Sequence, residues 1–199
     1  MRETLEINFS IPFRGGRNYN WGPDMIKKIL DYKVFEFKKD LHKIYFKINK
    51  FSEKNIKVLD KKDLVNEENL VGSIQFIGND ETNQLFIYEG GKKNKEKSIE
   101  FDEKEYLANY LISENNDQIS ISHSDHPIAL LVCANKHLLS KKFSNKKWTF
   151  AALKINNYPL KESKFEIKYK HDIGKKVYVT DINQDQEKIG QIIFGINKG

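Results

Sequence analysis

The sequence predicts an α+β chain in which a curled antiparallel sheet wraps a central helix, and it predicts two tandem copies of that arrangement. Three observations carry this. Ser124-Asp125-His126-Pro127-Ile128-Ala129-Leu130-Leu131-Val132-Cys133-Ala134-Asn135 reads as a capped, almost wholly apolar helix. The residues beyond that helix are nearly all strand. The two halves also share one order of elements: strand, loop, helix, then several antiparallel strands. The first copy spans residues 1–90, and the second spans 97–199 with its buried helix at 126–141.

Each element has a local reason. In residues 4–10, Leu5, Ile7 and Phe9 point one way and Glu6 and Asn8 the other, a strand of period two. Pro12 to Pro23 is a loop. Pro23 or Asp24 opens a short helix to about Tyr32, with Met25, Ile26, Ile29 and Leu30 in one stripe. Residues 34–38 and 43–48 alternate again and read as strands. Residues 51–72 carry no clear period. Residues 73–77 and 84–88 are strands around a turn at Gly78-Asn79-Asp80. Residues 89–97, rich in Gly and Lys, read as a linker or exposed hairpin. Residues 98–101 suggest a strand and 103–113 a helix. Asp125 is a good N-cap and Pro127 suits a first turn. Residues 128–134 then have no polar face, so this helix must be buried on every side. Residues 148–155, 164–171, 176–181 and 189–196 finish the chain as strands.

Composition narrows the function classes. The chain has 199 residues, 39% hydrophobic and 31% charged, with 13 Phe and 9 Tyr for a bulky core. No apolar run nears the roughly 20 residues that span a bilayer, and the N-terminus lacks the apolar core of a signal peptide. One cysteine, Cys133, excludes an internal disulfide and a Cys-based zinc site. The expected location is the cytoplasm. Net charge is +6, with lysines spread along the chain. A nucleic-acid binder concentrates its basic groups on one face among aromatics, so nucleic acid is not the expected partner. His42 and His171 lie near Asp40 and Asp172, but nothing completes a ligand set; no metal and no cofactor are expected.

Three segments of the second half resemble the hot-dog domain. His126-Pro127 leading into residues 129–134 is similar to the apolar helix that succeeds a His-Phe-Pro loop in 3-hydroxyacyl-carrier-protein dehydratases. Residues 165–177 resemble that family's strand, turn and strand, and 188–195 its closing strand. Extended to residues 1–90, the resemblance implies a double hot-dog, as in some fatty-acid and polyketide enzymes. It implies an acyl thioester as ligand, borne on coenzyme A or an acyl carrier protein, and dehydratase-like or thioesterase-like chemistry. A single hot-dog pairs to complete its site, which makes a homodimer one arrangement; a tandem chain completes it within one molecule.

The departures are as telling. Family dehydratases carry a catalytic carboxylate on the central helix, and here alignment puts Cys133 at that place. No Asp or Glu occurs between His126 and Lys142. Dehydration needs an acid for the leaving hydroxyl and a base for the α-proton, and a buried thiol serves poorly as either. The alternative reading is therefore a non-catalytic module that binds an acyl chain, a carrier protein or another protein.

Two loops hold the candidate residues. His123 and His126 precede the buried helix, where the resemblance places a thioester carbonyl near the helix N-terminus; the plainer reading is a cap and loop surface. Asn135, on the same helix, is a candidate polar contact. The loop 14–24 holds Arg14, Arg17, Asn18, Tyr19 and Trp21 among Gly15, Gly16 and Gly22. Arg14 and Arg17 are the only arginines besides Arg2. Arginine binds a phosphate or carboxylate bidentately, which lysine cannot. Tyr19 or Trp21 could wall an acyl channel. Asp24 could be a general base in the manner of hot-dog thioesterases, or a first-turn acid favoured by the helix dipole.

Overall fold

The computed structural model describes residues 6–17, 19–63, 66–93, 98–103, 107, 110–112, 117–121, 125–160 and 164–196. The chain divides into two compact units, Met1–Phe101 and Asp102–Gly199.

The first unit contains β1 (Glu6–Phe9), α1 (Gly22–Phe37), β2 (Leu41–Ile48), β3 (Lys54–Leu59), β4 (Leu70–Gly78) and β5 (Glu81–Lys93). Its strands pair antiparallel in the order β1-β3-β5-β4-β2. Met25, Ile26, Ile29 and Leu30 of α1 are buried, as are Leu41, Ile44 and Phe46 of β2. Strand alternation alone would put Leu41 and Ile44 on opposite faces. Lys43 resolves this: it takes a left-handed φ of 49° where the β2–β4 register shifts, so one extra residue turns Ile44 inward. Asn79 and Asp80, both at positive φ, make the two-residue turn between β4 and β5.

Three expectations for this unit are corrected. Residues 34–37 continue α1 rather than forming a strand. Lys33 is buried on the helical stripe, with Nζ 2.6 Å from Glu36 and above the Phe37 ring, and Lys38 ends the helix in a left-handed conformation. The Phe35/Phe37 alternation comes from a helix that leaves Phe35 82% exposed. Residues 89–93 are not a linker but the end of β5, paired to β3. Gly90 is there because a Cβ would lie 2.8 Å from the Asn55 carbonyl oxygen. Of the expected strand at 98–101, only a bridge between Arg14 and Ile99 forms.

The second unit contains β6 (Tyr110–Ile112), β7 (Gln118–Ile121), α2 (Pro127–Lys142), β8 (Trp148–Tyr158), β9 (Phe165–Ile173), β10 (Val177–Gln184) and β11 (Glu187–Ile196). Their order is β8-β11-β10-β9-β7-β6, again antiparallel. α2 packs on β7, β8, β9 and β11. Ile128–Asn135, Leu138 and Leu139 are all buried, as the apolar run requires. The helix expected at 103–113 is corrected where it is described: Tyr110–Ile112 pair with β7 as a strand. Its other residues include 104–106, 108, 109 and 113, which lie outside the described residues.

Both units place the strand after the helix at one end of their own order and the strand before it toward the other. They differ in between. β9, β10 and β11 form a meander, whereas β3 connects to β4 past β5, through a 3₁₀ turn at Glu67–Asn69.

Gly190 sets how closely β11 lies beside β8. A Cβ there would lie 2.1 Å from the Lys154 carbonyl oxygen. Gly190→Ala is expected to lower the unfolding free energy by about 3 kcal/mol, because the backbone must give way. Gly91→Ala, with open space at the same atom, should change it by less than about 0.5 kcal/mol. Equal effects in urea unfolding would contradict this packing.

Candidate functional site

In the first unit, the loop before α1 folds against residues 98–101. Gly15 N–H donates to the Ile99 carbonyl (2.8 Å), Ile99 N–H to the Phe13 carbonyl (2.8 Å), and Ser98 Oγ to the Gly15 carbonyl (2.8 Å). Gly15, at φ +57°, supplies the left-handed turn that points both arginines at one place. Arg14 grips Asp24 with two hydrogen bonds, Nε to Oδ2 at 2.8 Å and Nη2 to Oδ1 at 3.1 Å. Asp24 is 8% exposed and Arg14 18%. Both carboxylate oxygens of the sequence-predicted base are thus engaged by the sequence-predicted anion binder.

Arg17 donates from Nη1 to the Arg14 carbonyl at 3.1 Å. Its guanidinium stacks 5.2 Å over Trp21 and 5.4 Å over Phe101. Trp21 and Phe101 themselves pack at 4.7 Å. Arg14, Arg17, Trp21 and Asp24 therefore come together around Phe101. Sequence reasoning missed Phe101, because nothing local links it to a loop so far back in the chain. Tyr19 turns elsewhere and packs on Phe51 at 4.5 Å. The neighbouring Asn20 is buried, its Nδ2 donating to the Lys54 carbonyl at 2.5 Å, which pins the loop to β3. Asn18 lies outside the described residues.

In the second unit, the helix cap is corrected from Asp125 to His126. α2 begins at Pro127, and His126 Nδ1 accepts from the Ala129 N–H at 3.2 Å. Asp125 is exposed. The imidazole is 7% exposed and held at the helix N-terminus. A neutral imidazole that accepts at Nδ1 carries its proton on Nε2, beside the positive end of the helix dipole. This arrangement suits stabilising a developing oxyanion better than removing a proton. His123 lies outside the described residues. Asn135 is fully buried nine residues along α2, and neither Nδ2 nor Oδ1 has a hydrogen-bond partner. Cys133 is buried, consistent with a small core residue.

His137 comes two residues later on α2. Burial, aided by Lys141, holds it below the ordinary histidine range. A histidine lowered in the folded state contributes stability that is full above about pH 6.5 and is lost as pH falls through its lower folded value. His137→Gln is expected to flatten the pH dependence of unfolding below that point. An unchanged slope would show that His137 does not set it. Among the described residues no group of three or more His, Cys, Asp or Glu could hold a metal ion, and no helix is long and apolar enough to cross a membrane.

No protein-family model matches the sequence, and no curated protein matches it. Solved structures do. The tesB protein of Mycobacterium avium subspecies paratuberculosis is similar with a TM-score of 0.53 at 8% identity, over 98% of this chain and 93% of its own. The dehydratase domain of the CurF module of curacin polyketide synthase is similar with a TM-score of 0.50 at 9% identity, over 100% and 95%. This chain has the hot-dog fold. A third hot-dog structure, the dehydratase domain of PpsC from Mycobacterium tuberculosis in complex with C12:1-CoA, has a TM-score of 0.50 at 4% identity, over 98% and 93%. Identities this low carry the architecture and no residue roles. The hot-dog signature here is the apolar α2 with strands on it, the feature most visible in the sequence.

Proposed function

We propose that this chain processes acyl thioesters, borne on coenzyme A or on an acyl carrier protein, in the cytoplasm. The observation that carries the reading is α2: an apolar buried helix whose N-terminus holds an imidazole by its own capping hydrogen bond. Support comes from the fold shared with a tesB protein and with two dehydratase domains, one from a polyketide synthase and one solved in complex with C12:1-CoA.

His126 is the central residue of the proposal. Its Nε2–H and the helix dipole together favour negative charge on a thioester carbonyl oxygen. Thioester hydrolysis then needs water activated by another group, and dehydration needs a base for the α-proton. His123, Asp24 and Tyr19 are the remaining catalytic candidates. Arg14, Arg17, Asn18 and Trp21 are the binding candidates of the first unit and Asn135 that of the second. With no acid on α2 between His126 and Lys142, hydrolysis asks less of this helix than dehydration does.

The division after Phe101 supports the two-copy reading, because each unit has its own run of antiparallel strands and its own 16-residue helix. A two-copy chain completes its site as a monomer, so sedimentation at the mass of one chain is expected; a homodimer points to pairing between chains.

The test is a panel of acyl-coenzyme A thioesters of increasing chain length, monitored by free-thiol release and by mass. Release of thiol, or loss of water from a 3-hydroxyacyl member, is expected. Absence of both reactions, on the panel and on carrier-protein thioesters alike, would overturn the proposal.

A further inference from the structure

Among the described residues, Asn135 alone has both side-chain polar atoms buried and without a hydrogen-bond partner. It is 0% exposed. Its neighbours along α2 include Leu131, Val132, Ala134, Leu138 and Leu139, all buried and apolar. Burying an amide with neither donor nor acceptor satisfied is costly, and a leucine there would serve packing better. Packing therefore does not account for the residue, and a buried orphan of this kind asks for a partner from outside the chain. An amide does not titrate near neutral pH, so its chemistry is recognition and not proton transfer.

We propose that Asn135 reads a ligand group that both accepts and donates a hydrogen bond, accepting from Nδ2–H and donating to Oδ1. This rests on the acyl-thioester reading above and gives that ligand a polar feature. Two parts of an acyl thioester qualify: a hydroxyl on the acyl chain and a secondary amide of the pantetheine arm. Position separates them. Asn135 stands nine residues beyond His126, about 13 Å along the helix axis. A thioester carbonyl at the His126 end and a chain running along α2 bring a hydroxyl far down the chain to Asn135. The reverse orientation brings the pantetheine arm there. In both cases a bare hydrocarbon leaves the amide unsatisfied, and a site built for a polar group rejects the analogue that lacks it.

Calorimetric titration with dodecanoyl-coenzyme A and 12-hydroxydodecanoyl-coenzyme A tests this on the full chain and on N135L. N135A gives the same comparison should leucine overfill the site. If the chain hydroxyl is read, wild type prefers the hydroxylated probe by roughly tenfold or more, and the variants lose that preference while keeping their affinity for dodecanoyl-coenzyme A. If the pantetheine amide is read, the variants bind both probes roughly tenfold more weakly. Wild-type binding with both variants matching it on both probes overturns this inference and leaves the acyl-thioester reading in place. Wild type binding neither probe overturns the inference, and the acyl-thioester reading is then decided on the carrier-protein thioesters.

Discussion

His126→Ala is expected to lower acyl-thioester turnover by a factor of roughly 10²–10³ while costing only about 1 kcal/mol of stability. The two effects have separate origins on one ring. Nδ1 caps α2 by accepting from the Ala129 N–H, and its loss leaves one first-turn amide unsatisfied. Nε2–H is the donor proposed to face the thioester oxygen. His126→Asn separates them, because asparagine is a good N-cap and can restore the helix but cannot restore the imidazole. The expected pattern is recovered stability with turnover still lost. Turnover surviving both substitutions would remove His126 from the chemistry.

Arg14→Ala is expected to destabilise the first unit by about 3 kcal/mol. The guanidinium holds both oxygens of Asp24, a carboxylate 8% exposed, and truncation leaves that charge buried without its clamp. Asp24→Asn in the Arg14→Ala background should recover most of the loss, since an amide carries no charge to strand. A double-mutant cycle in urea measures the coupling directly. A coupling near zero would make the pair a surface contact instead of a buried clamp.

The elements legible in the sequence are those whose pattern is local. Residues 128–134 of α2 are apolar on every side, and a helical run of that kind has only one place to be. β4, β5 and the last four strands alternate or run apolar between turn signals. The misreadings arise where the deciding partner is not set by the local pattern, whether it lies on the same helix or on a distant strand. Residues 34–37 alternate like a strand, yet the stripe through Ile29, Leu30 and Lys33 keeps them helical. Gly90 looks like a linker glycine until β3 is placed beside it. Asp125 and His126 are adjacent, and only the folded backbone tells which one reaches the Ala129 amide. At the candidate site, the sequence picked out Arg14, Arg17, Trp21 and Asp24 as a cluster. It could not show that Arg14 clamps Asp24 with two hydrogen bonds, or that Phe101 completes the stack under Arg17. Asn135 was visible as a polar residue on an apolar helix, but only the structure shows both amide atoms without partners.

Whether the chain takes acyl thioesters at all is decided by mass spectrometry under native conditions, on the intact protein mixed with acyl-coenzyme A and carrier-protein thioesters. The predicted result is a bound acyl thioester or its mass-shifted product, either the freed acid or the species lighter by one water. An unchanged spectrum across the whole panel would contradict it.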